Sequence, residues 1–438
     1  MIRGSFVRGA VATAAGLTLL AGLSGCSEDR ATPAETTTTA PTKEAKDCAS
    51  DLLACAKEST LSAALPKQVS KASGKPIVIG MINQENTPLG SYPELSSAAK
   101  AAAALVNENF GGVNGRPIEI DVCNTKFSPE GSTACAQQFV EAGVPAVLGG
   151  IDVFGNGIDV LRDNKIPFVG GIPVSMPSVT SASSYQWSGG TWGATIAFAN
   201  HAATELKAKS VAILYPEFDP ITDSAERGER VLKQAGVSKV QLIPYPITAT
   251  DLTSPLQAAA AAKPDALIML AADMGCKGTF DGIDTVGIKA QVYLVGACAA
   301  PKIIAEAGPE KTEGIIFNVE GPIDPSVANI DTSLYIAAAK KYGDGFDPVG
   351  AGTVAFRSFM NLWATMVGLD EVTPKAITDA LAAKKDEPSF MGHNYTCDHK
   401  QLSGLPAMCS PQQILAQLQD GKLVQLGTWV DVGTVPGA

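Results

Sequence analysis

Short apolar runs alternate with longer amphipathic segments along most of the chain, starting near Lys75. The short runs have the length and β-branched content of buried strands, whereas the longer segments repeat apolar residues every three to four positions, as helices do. This alternation predicts an α/β fold of parallel sheets covered by helices on both faces. We predict strands at residues 77–81, 117–122, 146–148, 211–215, 242–245, 266–270, 292–295 and 315–317.

Local signals mark where several helices begin and end. Ser91 and Glu94 form a capping-box pattern, and Ser128 followed by a proline is a second helix start. Glycines that end intervening helices are Gly143, Gly236 and Gly287. After Pro322 the alternation stops. There we predict helices at 331–342, 350–369 and 374–383 and a final strand at 423–432.

The amino terminus has the pattern of an export signal. Arg3 and Arg8 precede an apolar run at 9–23, which is too short to span a bilayer. The run leads into Leu-Ser-Gly-Cys26, which resembles the lipobox of bacterial lipoproteins. This resemblance implies that residues 1–25 are a signal peptide and that Cys26 becomes lipidated. The alternative is an ordinary secretory signal with a chance cysteine.

Residues 26–74 are predicted to be a lipidated tether that includes a small segment between Cys48 and Cys55. Positions 27–46 are rich in threonine, alanine, proline and charge, so they have almost nothing to bury. The chain beyond about residue 75 is long enough for two domains of common size. It has no run of about eighteen apolar residues that could span a membrane.

Acidic residues outnumber basic ones, with 44 Asp and Glu against 33 Lys and Arg and a formal net charge of -11. Loss of residues 1–25 would remove two arginines and no acidic residues, which changes the charge from -11 to -13. A surface of this sign repels a phosphate backbone. The charge therefore argues against nucleic acid as a partner.

Nine cysteines minus Cys26 leave eight, an even number in a chain exported to an oxidising compartment. Their order suggests pairs between neighbours, although eight cysteines allow 105 pairings. The suggested pairs are Cys48 with Cys55, Cys123 with Cys135, Cys276 with Cys298, and Cys397 with Cys409.

A zinc site is the alternative for the last of these segments. His393, Cys397, His399 and Cys409 are residue types that bind zinc, and they lie close together in the sequence. Their spacing matches no common zinc site, and export favours disulfides. We therefore predict neither a metal nor a cofactor.

Residues 107–120 resemble the extracytoplasmic solute receptors of ABC importers, specifically the type I fold of the leucine/isoleucine/valine-binding protein. The segment reads Asn-Glu-Asn-Phe-Gly-Gly-Val-Asn-Gly-Arg-Pro-Ile-Glu-Ile. In that family a Gly-Gly turn ends the first helix, and Asn-Gly-Arg precedes the second strand. Residues 128–138, 144–150 and 166–169 match the parts that follow. The resemblance covers about residues 75–434.

The resemblance implies two doubly wound, Rossmann-like lobes joined by a three-segment hinge and closing on a ligand. Lobe I would comprise 75–190 and 322–395, and lobe II 191–321 and 396–438. The crossings are expected near Gly190, near Gly321 and after Tyr395. The implied protein is a monomer anchored outside the cell membrane, with a small-molecule solute and an ABC permease as its partners.

The loop after the predicted strand 146–148 is the first candidate for ligand binding. Its glycines expose backbone N–H groups at a helix start, where an anion is favoured. The family's amino-acid receptors also offer hydroxyl groups there, whereas this loop has Asp152, Val153 and Phe154. We expect Asp152 to bind a donor and Phe154 to offer an apolar face. A helix-capping aspartate and a core phenylalanine are the alternative.

Further candidates follow other predicted strands at positions where the family contacts its ligands. Each of them could instead be a turn former or a helix cap. Asp273 is expected to replace an acidic residue that the family has where this chain has Cys298. The further candidates are Asn83, Gln84, Glu85, Gly171, Ile172, Pro173, Phe218, Asp219, Asp273 and Met274.

Enzyme activity is not expected. The chain has no Gly-x-Ser-x-Gly elbow, no phosphate-binding Gly-x-x-x-x-Gly-Lys-Ser/Thr loop and no His-Glu-x-x-His motif. Of its three histidines, His201 lies in a helical stretch, and we interpret it as a structural residue. The alternative to transport is a ligand-sensing surface lipoprotein of the same fold, because fold does not decide function.

Overall fold

The computed structural model describes residues 47–67, 69–87, 90–249, 251–270, 273–321 and 329–438, without the side chains of 273–275. The predicted signal peptide, Cys26 and all of the tether's threonine-rich part, 27–46, lie outside these residues. Within the described part of the chain, no helix is both long and apolar enough to cross a membrane.

Twelve strands form two sheets within the described residues. In chain order they are β1 Ile77–Asn83, β2 Ile118–Asn124, β3 Val147–Gly149, β4 Phe168–Val169, β5 Ser184–Tyr185, β6 Ser210–Glu217, β7 Lys239–Pro246, β8 Ala266–Met269, β9 Gln291–Leu294, β10 Ile316–Val319, β11 Gln413–Gln419 and β12 Lys422–Val430. The first sheet has the order β2-β1-β3-β4-β5, and the second has the order β12-β11-β10-β9-β8-β6-β7.

Helices connect these strands and cover both sheets. They are α1 Leu52–Glu58, α2 Pro93–Asn109, α3 Pro129–Ala142, α4 Asn156–Asp163, α5 Met176–Thr180, α6 Gly190–Thr204, α7 Asp219–Gln234, α8 Thr253–Ala261, α9 Asp273–Val286, α10 Pro301–Ala307, α11 Pro309–Thr312, α12 Ile330–Tyr342, α13 Gly352–Val367 and α14 Pro374–Ala382. Each parallel pair needs such a crossover, because a short turn joins only antiparallel strands.

The first sheet is parallel throughout, and the second is parallel from β7 to β10. The α/β prediction is therefore confirmed. Two antiparallel strands, β11 and β12, extend the second sheet. Only β12 was predicted, since the β11 sequence Gln-Ile-Leu-Ala-Gln-Leu-Gln lacks the β-branched content that signals a strand.

The helix signals had mixed outcomes. Ser128 caps α3 by accepting a hydrogen bond from the Gly131 N–H, and Gly143 ends that helix in the left-handed conformation, as predicted. The capping box at Ser91 was wrong. The helix begins at Pro93 after an N-cap tyrosine without a side-chain cap, and the Ser91 hydroxyl instead accepts a hydrogen bond from the Asn86 N–H.

The first lobe's core lies between its sheet and helices that include α2 and the three helices between β10 and β11. Helix α13 packs against α2, and residues along nearly its whole length are buried. Its Trp363 donates a hydrogen bond to the Gly112 carbonyl at 2.9 Å. A buried indole N–H needs such an acceptor. The late helices thus complete the lobe that begins at β1.

All four suggested disulfides are present. Their Cα–Cα distances are 5.8 Å for Cys48–Cys55, 5.4 Å for Cys123–Cys135, 5.3 Å for Cys276–Cys298 and 4.4 Å for Cys397–Cys409. Disulfide sulfurs are not thiolates, so the last pair does not supply the zinc ligands of the alternative interpretation.

The chain passes between the sheets in three segments that lie side by side. The first leaves β5, the second leaves β10 and the third leads into β11. Gln186 of the first segment donates its N–H to Ala407 of the third at 2.8 Å and accepts from the Cys409 N–H at 2.8 Å. The first and third segments are thus joined through their backbones.

Candidate ligand-binding site

A cleft of about 910 Å³ lies between the two sheets. Its walls come from loops at the carboxyl ends of strands in both sheets, which is where doubly wound folds bind ligands. The first sheet contributes residues after β3 and β4. The second contributes residues after β6, β8, β9 and β10. The volume is near the upper end of the range of about 300–1,000 Å³ for small-molecule sites.

The walls of the cleft are mainly apolar. From the first lobe they include Ile151, Val153, Ile172 and Val174. From the second lobe they include Phe218, Ile221, Leu270 and Val295. Three of the predicted ligand residues, Val153, Ile172 and Phe218, are therefore brought together here. A wall of this kind favours a solute with an apolar body.

Carboxylates dominate the charged positions of the wall. Glu94, Asp344 and Asp347 come from the first lobe, and Glu320 follows β10. Among the described residues, the wall has one cationic side chain, Lys302 at the start of α10. The charge around the cleft is thus mainly negative.

A row of three aromatic rings connects the lobes at the cleft. The Phe127 and Phe154 centroids are 5.2 Å apart, and the Phe154 and Phe218 centroids are 6.2 Å apart, both in edge-to-face arrangements. Phe127 and Phe218 line the cleft, and Phe154 lies between them. Phe127 adopts a positive φ of 53°, an uncommon conformation for a residue other than glycine. No local pattern signals this conformation.

Asp152 lies behind the wall in a hydrogen-bonded turn. The Ser132 hydroxyl donates to one of its oxygens at 2.6 Å, and the Gly155 N–H donates to the other at 3.2 Å. Burial raises the pKa of the Asp152 carboxyl, while these hydrogen bonds oppose the rise. Asp152 does not line the cleft but holds the turn that carries Val153 and Phe154.

The polar residues at the end of β1 are also used within the fold. Buried Asn83 donates to the Tyr92 carbonyl at 2.8 Å and accepts from the Ile151 N–H at 3.0 Å. Gln84 donates to the Gly90 carbonyl at 3.0 Å, and Glu85 accepts from Asn83 at 3.0 Å. None of these three predicted residues lines the cleft. They connect β1, the start of α2 and the loop after β3.

The other predicted residues lie near the wall. Gly171 has a φ of 87°, and a Cβ atom there would lie 2.5 Å from the Gly149 carbonyl carbon, so glycine is required. Pro173 and exposed Asp219 are outside the wall. Asp273 and Met274 begin α9, and their side chains lie outside the described part of the structure.

His201 lies away from the cleft. Its Nδ1 is 3.0 Å from the Tyr293 hydroxyl, and burial lowers the pKa of its imidazole. Tyr293 belongs to the core of the second lobe. These contacts give His201 a packing role in that core.

Sequence comparison identifies the family to which this two-lobed architecture belongs. The pattern that defines the periplasmic binding protein family matches residues 76–408. The chain belongs to this family. Among curated protein sequences, none matches the chain. Membership of this family makes the protein a solute-binding protein rather than an enzyme, and the family implies a location outside the cytoplasm.

Solved structures show the same fold as this periplasmic binding protein. A leucine-binding protein from Thermotoga maritima has 16% identity and a TM-score of 0.65, with 81% of this chain and 98% of that chain covered. A branched-chain amino-acid transporter protein from Streptococcus pneumoniae, in complex with isoleucine, has 16% identity and a TM-score of 0.65, with 80% and 99% covered.

A third structure binds a different type of solute. It is an ABC-transporter solute-binding protein from Rhodopseudomonas palustris, in complex with 4-hydroxybenzoate. Its identity is 18% and its TM-score 0.66, with 81% of this chain and 96% of that chain covered. At these identities, the similarity of the three structures to this chain shows a shared fold. It is the type I fold that the resemblance of residues 107–120 implied.

Several wall residues of this periplasmic binding protein were missed from the sequence. Tyr92 and Glu94 line the cleft, although this segment was interpreted only as a helix start. The loop between α12 and α13 contributes Asp344, Phe346 and Asp347. That loop follows no strand of the sheets, so the rule that ligands bind at strand ends does not find it.

Proposed function

We propose that this protein captures a small polar or amphipathic solute between its two lobes and delivers it to the permease of an ABC importer. The observation that supports this most is the apolar cleft of about 910 Å³ at the strand ends of both sheets. Closure of lobes around a bound solute is a recognised switching mode. The proposed lobes are 75–190 with 322–395 and 191–321 with 396–438.

The proposed solute is not a plain branched-chain amino acid. The loop after β3 has no hydroxyl side chain, and the charged side chains of the cleft wall are mainly carboxylates. The carboxylate of an amino acid would gain little from such a wall. Micromolar binding of leucine, isoleucine or valine in calorimetry would contradict this part of the proposal.

A thermal-shift screen tests solute capture directly. The screen would cover amino acids, amides, short peptides, and aromatic acids and amines. A solute at one hundred times its dissociation constant stabilises the folded state by about 2.7 kcal/mol. Small-angle X-ray scattering should then show a smaller radius of gyration with that solute. Absence of any stabilising solute that also compacts the protein would contradict capture by closure.

Delivery to a permease and membrane anchoring need separate tests. The partner transporter, reconstituted in vesicles, should hydrolyse ATP faster with the loaded protein than with the empty one. If loading does not change the rate of ATP hydrolysis, the sensing alternative replaces transport.

Cys26→Ala should release the protein from membranes or leave it unprocessed, because the proposed lipid acceptor is gone. Membrane retention of a correctly processed Cys26→Ala chain would contradict the anchor.

A further inference from the structure

The charges of the cleft wall are unevenly divided between the lobes. Glu94, Asp344 and Asp347 line it from the first lobe, whereas Lys302 lines it from the second. Glu320 also lines the wall, but its carboxylate is paired with Arg357, at 2.9 Å between Oε2 and Nη2. The exposed Asp344 and Asp347 of the first lobe therefore supply most of the charge that a bound solute meets.

These carboxylates belong to two elements that are in contact. A Cβ atom at Gly352 would lie 3.3 Å from the Glu94 backbone oxygen and 3.1 Å from the Phe346 ring. The start of α2 thus packs beside the loop that carries Asp344 and Asp347. The carboxylates of the first-lobe wall therefore come from neighbouring elements.

The electrostatics of this arrangement separate classes of solute. A carboxylate brought into the cleft loses hydration and approaches charges of its own sign, both of which are unfavourable. A protonated amine loses hydration too, but attraction to the wall offsets that loss. The apolar wall and the volume of the cleft favour a body larger than an amino-acid side chain.

Building on the proposed function, we propose that the solute is an amphipathic cation whose apolar body packs against the second-lobe wall and whose positive group faces Glu94, Asp344 and Asp347. The apolar wall and the carboxylates together thus select the class of solute.

Three probes that differ only in their polar group test this inference: 4-phenylbutylamine, 4-phenylbutanol and 4-phenylbutanoic acid. Calorimetry would use the full chain with Cys26→Ala, which lacks the proposed lipid acceptor. We expect the amine to bind at least about tenfold more tightly than the acid, with the alcohol between them. Added salt should reduce the preference, because it screens exposed charges.

A pair of matched variants locates the source of the preference. Asp344→Asn with Asp347→Asn should weaken binding of the amine more than binding of the alcohol, whereas Lys375→Met, on α14 outside the wall, should change neither. All three positions are exposed, so the unfolding midpoints should stay close to that of the parent. The Val349 N–H now donates a hydrogen bond to the Asp347 side chain at 2.9 Å, and the amide oxygen introduced by Asp347→Asn can accept the same bond.

The outcomes separate this inference from the proposed function. Acid binding as tight as amine binding, or amine binding unaffected by the double variant, would overturn the inference while leaving solute capture intact. The inference would also be overturned, with solute capture intact, if none of the three probes bound while a solute without a positive group bound and compacted the protein. If no solute in the whole screen binds and compacts the protein, both proposals fail.

Discussion

Arg357 and Glu320 form a buried ion pair between the lobes, with 2.9 Å between Nη2 and Oε2 and side-chain exposures of 4% and 9%. Arg357 lies on α13, and Glu320 follows β10 at the second crossing. The hydroxyl of Ser188, in the first crossing, donates to the same carboxylate at 2.7 Å, and Gln413, at the end of the third, donates at 3.2 Å. One carboxylate therefore holds all three crossings together.

Arg357→Met should lower the free energy of unfolding by about 3–5 kcal/mol, because it leaves the Glu320 carboxylate buried without its cation. The remaining donors, Ser188 and Gln413, place the expected loss toward the low end. Urea unfolding would measure it. Combining Arg357→Met with Glu320→Gln should cost less than the sum of the two single variants.

The exposed pair of Lys375 and Asp379 is the control for this prediction. It lies on α14 with side-chain exposures of 83% and 61%. Lys375→Met should change the free energy of unfolding by no more than about 0.5 kcal/mol. Equal losses at the buried and the exposed pair would contradict a special role for the link between the lobes.

Phe218→Ala should weaken the tightest of the three phenylbutyl probes by roughly tenfold to a hundredfold. It removes a phenyl ring from the wall, and burial of such a side chain contributes about 1.5–3 kcal/mol. Phe154→Ala removes the ring contacts to Phe127 and Phe218, worth about 0.5–1.5 kcal/mol each, but no side chain that lines the cleft, so its effect on probe binding should be smaller. Leu206→Ala, at a position 40% exposed, is the control. A larger loss from Phe154→Ala than from Phe218→Ala would be the opposite of the expected order.

Replacing Cys276 and Cys298 by serine should lower the free energy of unfolding by about 3 kcal/mol, since their disulfide closes a loop of 22 residues. The same change should also weaken solute binding, because Cys298 lies in the turn Gly296–Ala299, which contributes to the cleft wall. Removing the Cys48–Cys55 disulfide near α1 should affect stability alone. Calorimetry would measure solute binding by both variants, and urea unfolding would measure their stability. Equal losses of binding in the two variants would contradict a specific role of the Cys276–Cys298 disulfide in the cleft wall.

Asp152→Asn should alter the pH dependence of stability. Burial raises the pKa of the folded carboxyl above its ordinary value of 3.8, so the folded state retains the proton more strongly than the unfolded state. The parent's stability relative to Asp152→Asn is therefore greatest below pH 3.8 and declines as pH rises through the raised pKa. Urea unfolding at a series of pH values upward from 3.8 would show the decline.

Asp251→Asn provides a control of opposite sign. Hydrogen bonds from Thr253 lower the pKa of the Asp251 carboxyl, which therefore adds stability above pH 3.8 and loses it as pH falls through the lowered pKa. The parent should thus gain stability relative to Asp251→Asn as pH rises. The same direction of change in both variants would contradict the assignment for Asp152.

Several features of this protein could be predicted from its sequence because they depend on neighbours along the chain. The cap at Ser128 and the helix end at Gly143 involve a few adjacent residues. The four disulfides join cysteines only 7 to 22 positions apart. The eight strands predicted between residues 77 and 317 follow from short runs of apolar residues, whereas the two-residue strands β4 and β5 were not among them.

Other features were decided by contacts between distant segments. Asp152 is adjacent to Val153 in the sequence, yet Ser132 on α3 holds its carboxylate behind the wall, while Val153 faces the cleft. Asp344 reaches the cleft because α13 packs against α2. The direction of a side chain at the end of a strand depends on the packing and hydrogen bonds around it, which the sequence does not show locally. The sequence alone therefore indicated the fold class, suggested the disulfide pairs and predicted the general position of the cleft, whereas tertiary packing decided which side chains line it.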